Sequence, residues 1–204
     1  MRRSVFQILN SIFLIGVGLF APAVCWGQWT NWGQINEDGF GDTHNSIAFS
    51  MAVYNDQLYV GTRNNSNGCE VWRRDGDGPT DWTQVASGGF DNNFVDFRSL
   101  VSYGGRLFIG GAGWSVPCQV WEYDGANFAR SDPGGMQYDS ARCMTVFQNK
   151  LYVGTGNDSG SPSGGQLWEY DGTTWSQVNA NGFGDTSNDA ILARVYKEEF
   201  IRSL

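Results

Sequence analysis

The chain has 204 residues, with 21 acidic against 13 basic side chains, one histidine, and 28 glycines beside nine tryptophans, eight tyrosines and 13 phenylalanines. A formal charge of −8 with no basic stripe repels phosphate backbones and excludes nucleic acid as an expected partner. Only two lysines accompany this glycine-rich, aromatic mixture, which suits many short strands joined by tight turns.

Residues 1–27 open on Arg2 and Arg3, continue through an apolar stretch from Val5 to Phe20, and end in small residues. This is the pattern of a secretory signal peptide; Gln7, Asn10 and Ser11 interrupt the apolar run and make an uncleaved anchor the weaker reading. Its removal leaves 11 basic against 21 acidic side chains, a net −10. The expected location is outside the cell, in a periplasm or at the cell surface, with no membrane segment after cleavage.

From residue 29 onward one sentence recurs. "QLYVGTRNNSNGCEVWRRDG", "RLFIGGAGWSVPCQVWEYDG" and "KLYVGTGNDSGSPSGGQLWEYDG" align on Gly61, Gly110 and Gly154 and on Trp72, Trp121 and Trp168. A spacing of roughly 45 to 50 residues is that of a propeller blade. Each unit holds four apolar runs parted by turn chemistry, such as "ARCMTVF", "KLYVGT", "QLWEY" and "TWSQV", which predicts a four-stranded antiparallel meander.

The expected fold is therefore all-β: a β-propeller with three full blades at about 46–86, 96–131 and 140–179. Partial blades flank them. "WTNWGQIN" at 29–36 matches a fourth strand, while 190–204 restarts the pattern with its first one or two strands, and the two could share one blade. Two other readings stand beside this: a piece of a longer propeller, and self-association through incomplete blade edges.

The glycine-ended second strand, the "VWEYDG" third strand, the fourth-strand aromatic and Arg98 and Arg142 near a first-strand position together resemble kelch repeats of galactose-oxidase-like propellers. The resemblance spans roughly residues 29–203 and implies the fold; proteins of this kind include protein-binding modules, sugar-binding proteins and oxidases. The double glycine survives only at Gly110 and Gly111. With His44 as the sole histidine, an oxidase-type copper site needing paired histidines cannot be assembled.

Propeller topology sends the loops after second and fourth strands to one face, and there the sequence varies most. That face is expected to bind a carbohydrate or a protein, without catalysis, through Trp114, Asn64, Asn65, Asn157 and Asp158. The recurring Trp72, Trp121, Trp168, Trp82, Phe128 and Trp175 read as core, and Phe40, Phe90 and Phe183 as plugs at the loop bases. The motif "GFGDxxN" sets Asp42 with Asn45, and Asp185 with Asn188 and Asp189, oxygen ligands whose spacing offers calcium a weak site; turn capping by the same residues is the plainer reading. No other cofactor is expected. The alternative is a glycan-active enzyme using two of Asp42, Asp91, Asp96 and Asp185, though nothing in the sequence selects the pair.

Cys69 and Cys118 hold equivalent places in successive repeats, where the third has Gly165. Export permits a disulfide if their Cα atoms lie within about 7 Å, and buried free thiols are the equal alternative.

Overall fold

The computed structural model describes residues 33–92, 94–113, 116–136, 138–157 and 164–192, and the contacts divide the chain after Gly33. Among the described residues, the unit that begins at Gln34 is an all-β antiparallel assembly of twelve strands, with one helical turn at Gly89–Asn92 and two 3-10 turns at Asp38–Gly41 and Asn181–Gly184. No helix among the described residues is long and apolar enough to cross a membrane.

The strands fall into three meanders of four. The first is β1 (Asn45–Tyr54), β2 (Gln57–Asn64), β3 (Val71–Arg74) and β4 (Trp82–Ala86). The second is β5 (Asp96–Tyr103), β6 (Arg106–Ala112), β7 (Val120–Tyr123) and β8 (Phe128–Arg130). The third is β9 (Ser140–Phe147), β10 (Lys150–Gly156), β11 (Leu167–Tyr170) and β12 (Trp175–Gln177). Two-residue turns join the first strands to the second: Asn55 and Asp56, Gly104 and Gly105, and Gln148 and Asn149 all take positive φ. That is the turn whose twist matches a right-handed hairpin.

Adjacent units touch through a repeated set of contacts. Single antiparallel pairings link Arg63 to Asp96, Ala112 to Ser140 and Gly156 to Ala190. The Ser50 hydroxyl donates to the Phe97 carbonyl at 3.0 Å, the Ser99 hydroxyl to that of Ala141 at 2.9 Å, and the Cys143 thiol to that of Ile191 at 3.3 Å. On the opposite side, the Tyr54 hydroxyl donates to Gly105 O and that of Tyr103 to Asn149 O. Gly61, Gly110 and Gly154 permit this closeness: a Cβ on Gly61 would lie 2.8 Å from Leu100 Cδ1, and one on Gly154 2.8 Å from Ile191 Cγ2.

The cores consequently lie between units. One joins Tyr54, Tyr59 and Val71 of the first meander to Phe97, Leu107 and Ile109 of the second. The next joins Tyr103, Phe108 and Val120 of the second to Met144, Leu151 and Val153 of the third. No unit buries its own faces alone, which is the physics of a repeat array.

The third-strand tryptophans behave alike. The indole N–H of Trp72 donates to Glu70 Oε2 at 2.8 Å, that of Trp121 to Gln119 Oε1 at 3.0 Å, and that of Trp168 to Gln166 Oε1 at 3.1 Å. Phe40 stacks on Trp72 with ring centroids 5.3 Å apart, and Phe90 on Trp121 at 4.3 Å. Both phenylalanines follow a left-handed glycine and are left-handed themselves, a strained turn that aims each ring at its indole. Phe183 repeats the backbone, with φ 57°, but its side chain is exposed; it plugs no loop base among the described residues. Cys69, Cys118 and Cys143 are buried and free, so the thiol alternative holds for these three.

Candidate functional site

Each first strand carries an extra residue at the same place in its ladder, and β1 carries a second at Ser46. The register slips between Ala48 and Ser50 in β1, between Phe97 and Ser99 in β5, and between Ala141 and Cys143 in β9. The extra residues at this shared place are Phe49, Arg98 and Arg142. A bulge leaves its residue out of the pairing and re-aims the side chain, often toward a site.

Those three side chains line up across the units. The guanidinium of Arg98 lies 5.4 Å from the Phe49 ring centroid, and that of Arg63, at the end of β2, lies 4.9 Å from it. Arg63 and Arg98 share one carboxylate: Asp96 accepts from Arg63 Nε and NH2 at 2.6 and 2.7 Å, and from Arg98 Nε and NH2 at 2.9 and 2.8 Å. The Asp96 side chain is only 2% exposed, and Arg63 keeps 25% of its side chain in solvent. Arg142 follows in the row; burial lowers its pKa, Arg98 adds to that, and Asp139 and Asp189 oppose it. The result is a strip of guanidinium groups beside an aromatic ring, with Asp96 held between Arg63 and Arg98.

A second polar cluster sits beneath the first loop. Asn45 donates to Glu70 Oε2 at 2.6 Å and to Gly39 O at 2.9 Å, while its oxygen accepts from Thr62 Oγ1 and Asn64 Nδ2. Asp42 accepts from the His44 backbone at 2.8 Å and from Asn64 and Asn67 side chains, and its Oδ1 lies 2.9 Å from His44 Nδ1. The His44 contacts hold the Asp42 carboxyl at a pKa of about 2, well below its ordinary range.

The structure thus brings Asp42, Asn45 and Asn64 into one network. Asn64 is fully buried, its oxygen capping the backbone N–H groups of Ser66 and Asn67. Asn65 is exposed at the loop tip. In the last loop, Asp185 caps the Ser187 N–H and Asn188 donates to Gly182 O, repeating the Asn45 bond to Gly39. Asn157 is half-buried, and its backbone N–H donates to Asp189 O at 3.1 Å. Trp114 and Asp158 lie outside the described residues, and so does the Asp91 side chain. Among the described residues, no three His, Cys, Asp or Glu side chains gather as a metal ion would need.

Sequence reasoning passed over Phe49, Arg63 and Glu70. The signal for Glu70 was present: "CEVW" has an acid where "CQVW" and "GQLW" have glutamine. Phe49 and Arg63 carried none, because only the bulge and the cross-unit pairing make them neighbours.

No family model matches the chain, and no curated protein does. Among solved structures, it is similar to an alpha-L-arabinofuranosidase of Clostridium thermocellum, at 15% identity and a TM-score of 0.42, over 65% of this chain and 51% of that one. It is also similar to a beta-fructofuranosidase of Bombyx mori whose structure holds sucrose, at 13% identity and a TM-score of 0.43, over 70% of this chain and 38% of that one. The chain thus spans about half of the first enzyme and less of the second. Likeness at this level carries no activity or substrate across.

Proposed function

We propose that the three meanders are blades of a kelch-like β-propeller, exported from the cell, that binds a carbohydrate without catalysis. The ligand lies along the bulge row Phe49, Arg98 and Arg142, next to Arg63 and the loops that follow the second strands. The observation that supports this reading most is the row itself: three bulges at one register position place an aromatic ring and guanidinium forks side by side. Sugars are held by such planar donors combined with a stacking face.

Three of the described carboxylates nearby are committed to other work. Asp96 is clamped by two arginines, Glu70 by Asn45 and Trp72, and Asp42 by its own loop. Binding along the row requires none of these three to be released, whereas hydrolysis at any of them would.

The test is a glycan array probed with the purified chain, followed by calorimetry on the best oligosaccharide. Phe49→Ala is expected to weaken that binding about tenfold, equivalent to ~1.4 kcal/mol, while Phe49→Tyr restores it. Equal affinity for parent and Phe49→Ala, with both folded, removes the row from the site. Capture of a non-glycosylated protein without any glycan signal replaces the carbohydrate reading.

A further inference from the structure

One line of paired residues crosses the units beside the bulge row. Arg63 pairs with Asp96, Asp96 with Ala112, Ala112 with Ser140, and Ser140 with Gly156. Asp96 opens β5 and Ser140 opens β9, each two residues before the arginine of its bulge. In the second unit the aspartate at this place is clasped by Arg63 and Arg98. In the third unit the same place holds a serine, its partner in the preceding unit is alanine instead of arginine, and β9 contains no acidic residue.

The exchange shows in the polar groups around it. Ser140 is 0% exposed, and its hydroxyl finds no hydrogen-bond partner among the described residues. A buried donor without an acceptor is costly, and it marks a place where an acceptor is missing. Arg142 lies close to the line: a Cβ on Gly156 would stand 2.6 Å from Arg142 Cδ. Burial lowers the Arg142 pKa and Arg98 adds to that, while Asp139 and Asp189 oppose the shift without reversing it. A negative group between the two arginines would relieve their repulsion.

We propose that the carbohydrate bound along the row carries a carboxylate, as a uronic acid does, and that this group lies over Ala112 and Ser140 between Arg98 and Arg142. It does for the third unit what the Asp96 carboxylate does for the second. The inference rests on the carbohydrate reading of the row and narrows it to acidic sugars. The Asp96 clasp supplies the chemistry: Arg63 alone holds that carboxylate through two N–H donors, at 2.6 and 2.7 Å, the fork geometry that suits a carboxylate. Neither Ala112 nor Ser140 has a side chain that could stand in for the missing oxygens, and the Ser140 hydroxyl adds a neutral donor beneath them. The formal charge of −8 disfavours a long polyanion, so a short or terminal acidic sugar is the ligand that fits.

Calorimetry on the full chain tests this with trimers of galacturonate, glucuronate and mannuronate, each beside the neutral trimer made by reducing its carboxylates. At least one acidic trimer is expected to bind about tenfold or more tighter than its neutral counterpart. Arg142→Gln is expected to cut that preference to about threefold or less. Ser140→Asp, which supplies the carboxylate from the chain itself, is expected to erase it as well; circular dichroism checks that each variant is folded, and Arg142→Gln decides alone if Ser140→Asp is not. Equal binding of acidic and neutral trimers, with Phe49→Ala weakening both, overturns the carboxylate and leaves the carbohydrate reading standing. A preference that survives in folded Arg142→Gln overturns its seat. Triglutamate bound in place of every trimer assigns the arginines to an acidic peptide and overturns the inference too. Binding of no trimer also overturns it, and a blank glycan array beside that result overturns the reading on which it rests.

Discussion

Gly110→Ala probes the contact on which the repeat array depends. A Cβ there would overlap the Ser99 hydroxyl and lie 2.9 Å from both the Cβ and the carbonyl oxygen of Ala141, so backbone from two units must move. Overpacking of this kind costs ~1–3 kcal/mol, and pushing Ser99 off the Ala141 carbonyl, which it bonds at 2.9 Å, adds ~1 kcal/mol. The expected loss of about 2–4 kcal/mol corresponds to a melting temperature lower by ~5–15 °C for a domain of this size. Gly135→Ala is the matched control: its Cβ meets only the Trp168 ring, at an ordinary 3.5 Å, and its backbone is not left-handed. Thermal and urea unfolding followed by circular dichroism read both variants. A Gly110→Ala chain within ~0.5 kcal/mol of the parent would refute the claim that the units close on this glycine.

Glu70 separates charge from hydrogen bonding. Glu70→Gln copies the residue found in the other two units and is expected to cost less than ~1 kcal/mol, whereas Glu70→Ala strands the Trp72 indole and the Asn45 amide and should cost ~2–4 kcal/mol in urea unfolding. Equal costs would mean the acceptor is dispensable. The Asp42 carboxyl is expected to titrate near pH 2 by NMR, and His44→Ala, which keeps the backbone N–H donor but removes the imidazole, to raise the midpoint only part of the way toward the ordinary 3.8. Because its folded pKa is depressed, its stabilising contribution is present above about pH 4 and disappears as the pH falls through about 2. An unshifted midpoint in the parent refutes the His44 account. Burial pushes the Cys69 and Cys118 thiols upward, so at pH 8 both should react with a disulfide reagent at least ~100-fold more slowly in the native chain than in denaturant. Rapid native reaction at either position contradicts their burial.

The strands and hairpin turns were legible because they depend on local patterns. Alternating β-branched and aromatic runs and the turn pairs at 55–56, 104–105 and 148–149 are readable residue by residue. The bulges were not, since a register slip leaves the alternation of Phe49 or Arg98 looking like ordinary strand. Asn64 shows the other limit. An asparagine in a variable loop reads as a ligand contact, but in the folded chain it is fully buried and holds the loop to Asp42 and Asn45. Phe183 matched Phe40 and Phe90 in sequence, and even in backbone, but those two each stack on the third-strand tryptophan of the unit that follows them, and Phe183 makes no such stack among the described residues.

That last difference follows from where the cores sit. When every core is shared between neighbours, a row of three units closes two cores and presents an inserting face at one end and a receiving face at the other. The inserting face is visible in Met51, 66% exposed, where Leu100 and Met144 at the same register position are each 8% exposed. Polar substitution should therefore be cheap at Met51 and costly at Leu100, although both are apolar residues paired to the same position of a second strand. Met51→Gln is expected to change stability by less than ~0.5 kcal/mol and Leu100→Gln to cost at least ~2 kcal/mol. Urea unfolding of the two variants measures the difference; a Met51→Gln chain destabilised as much as Leu100→Gln would mean that something covers the first unit as fully as the second unit is covered.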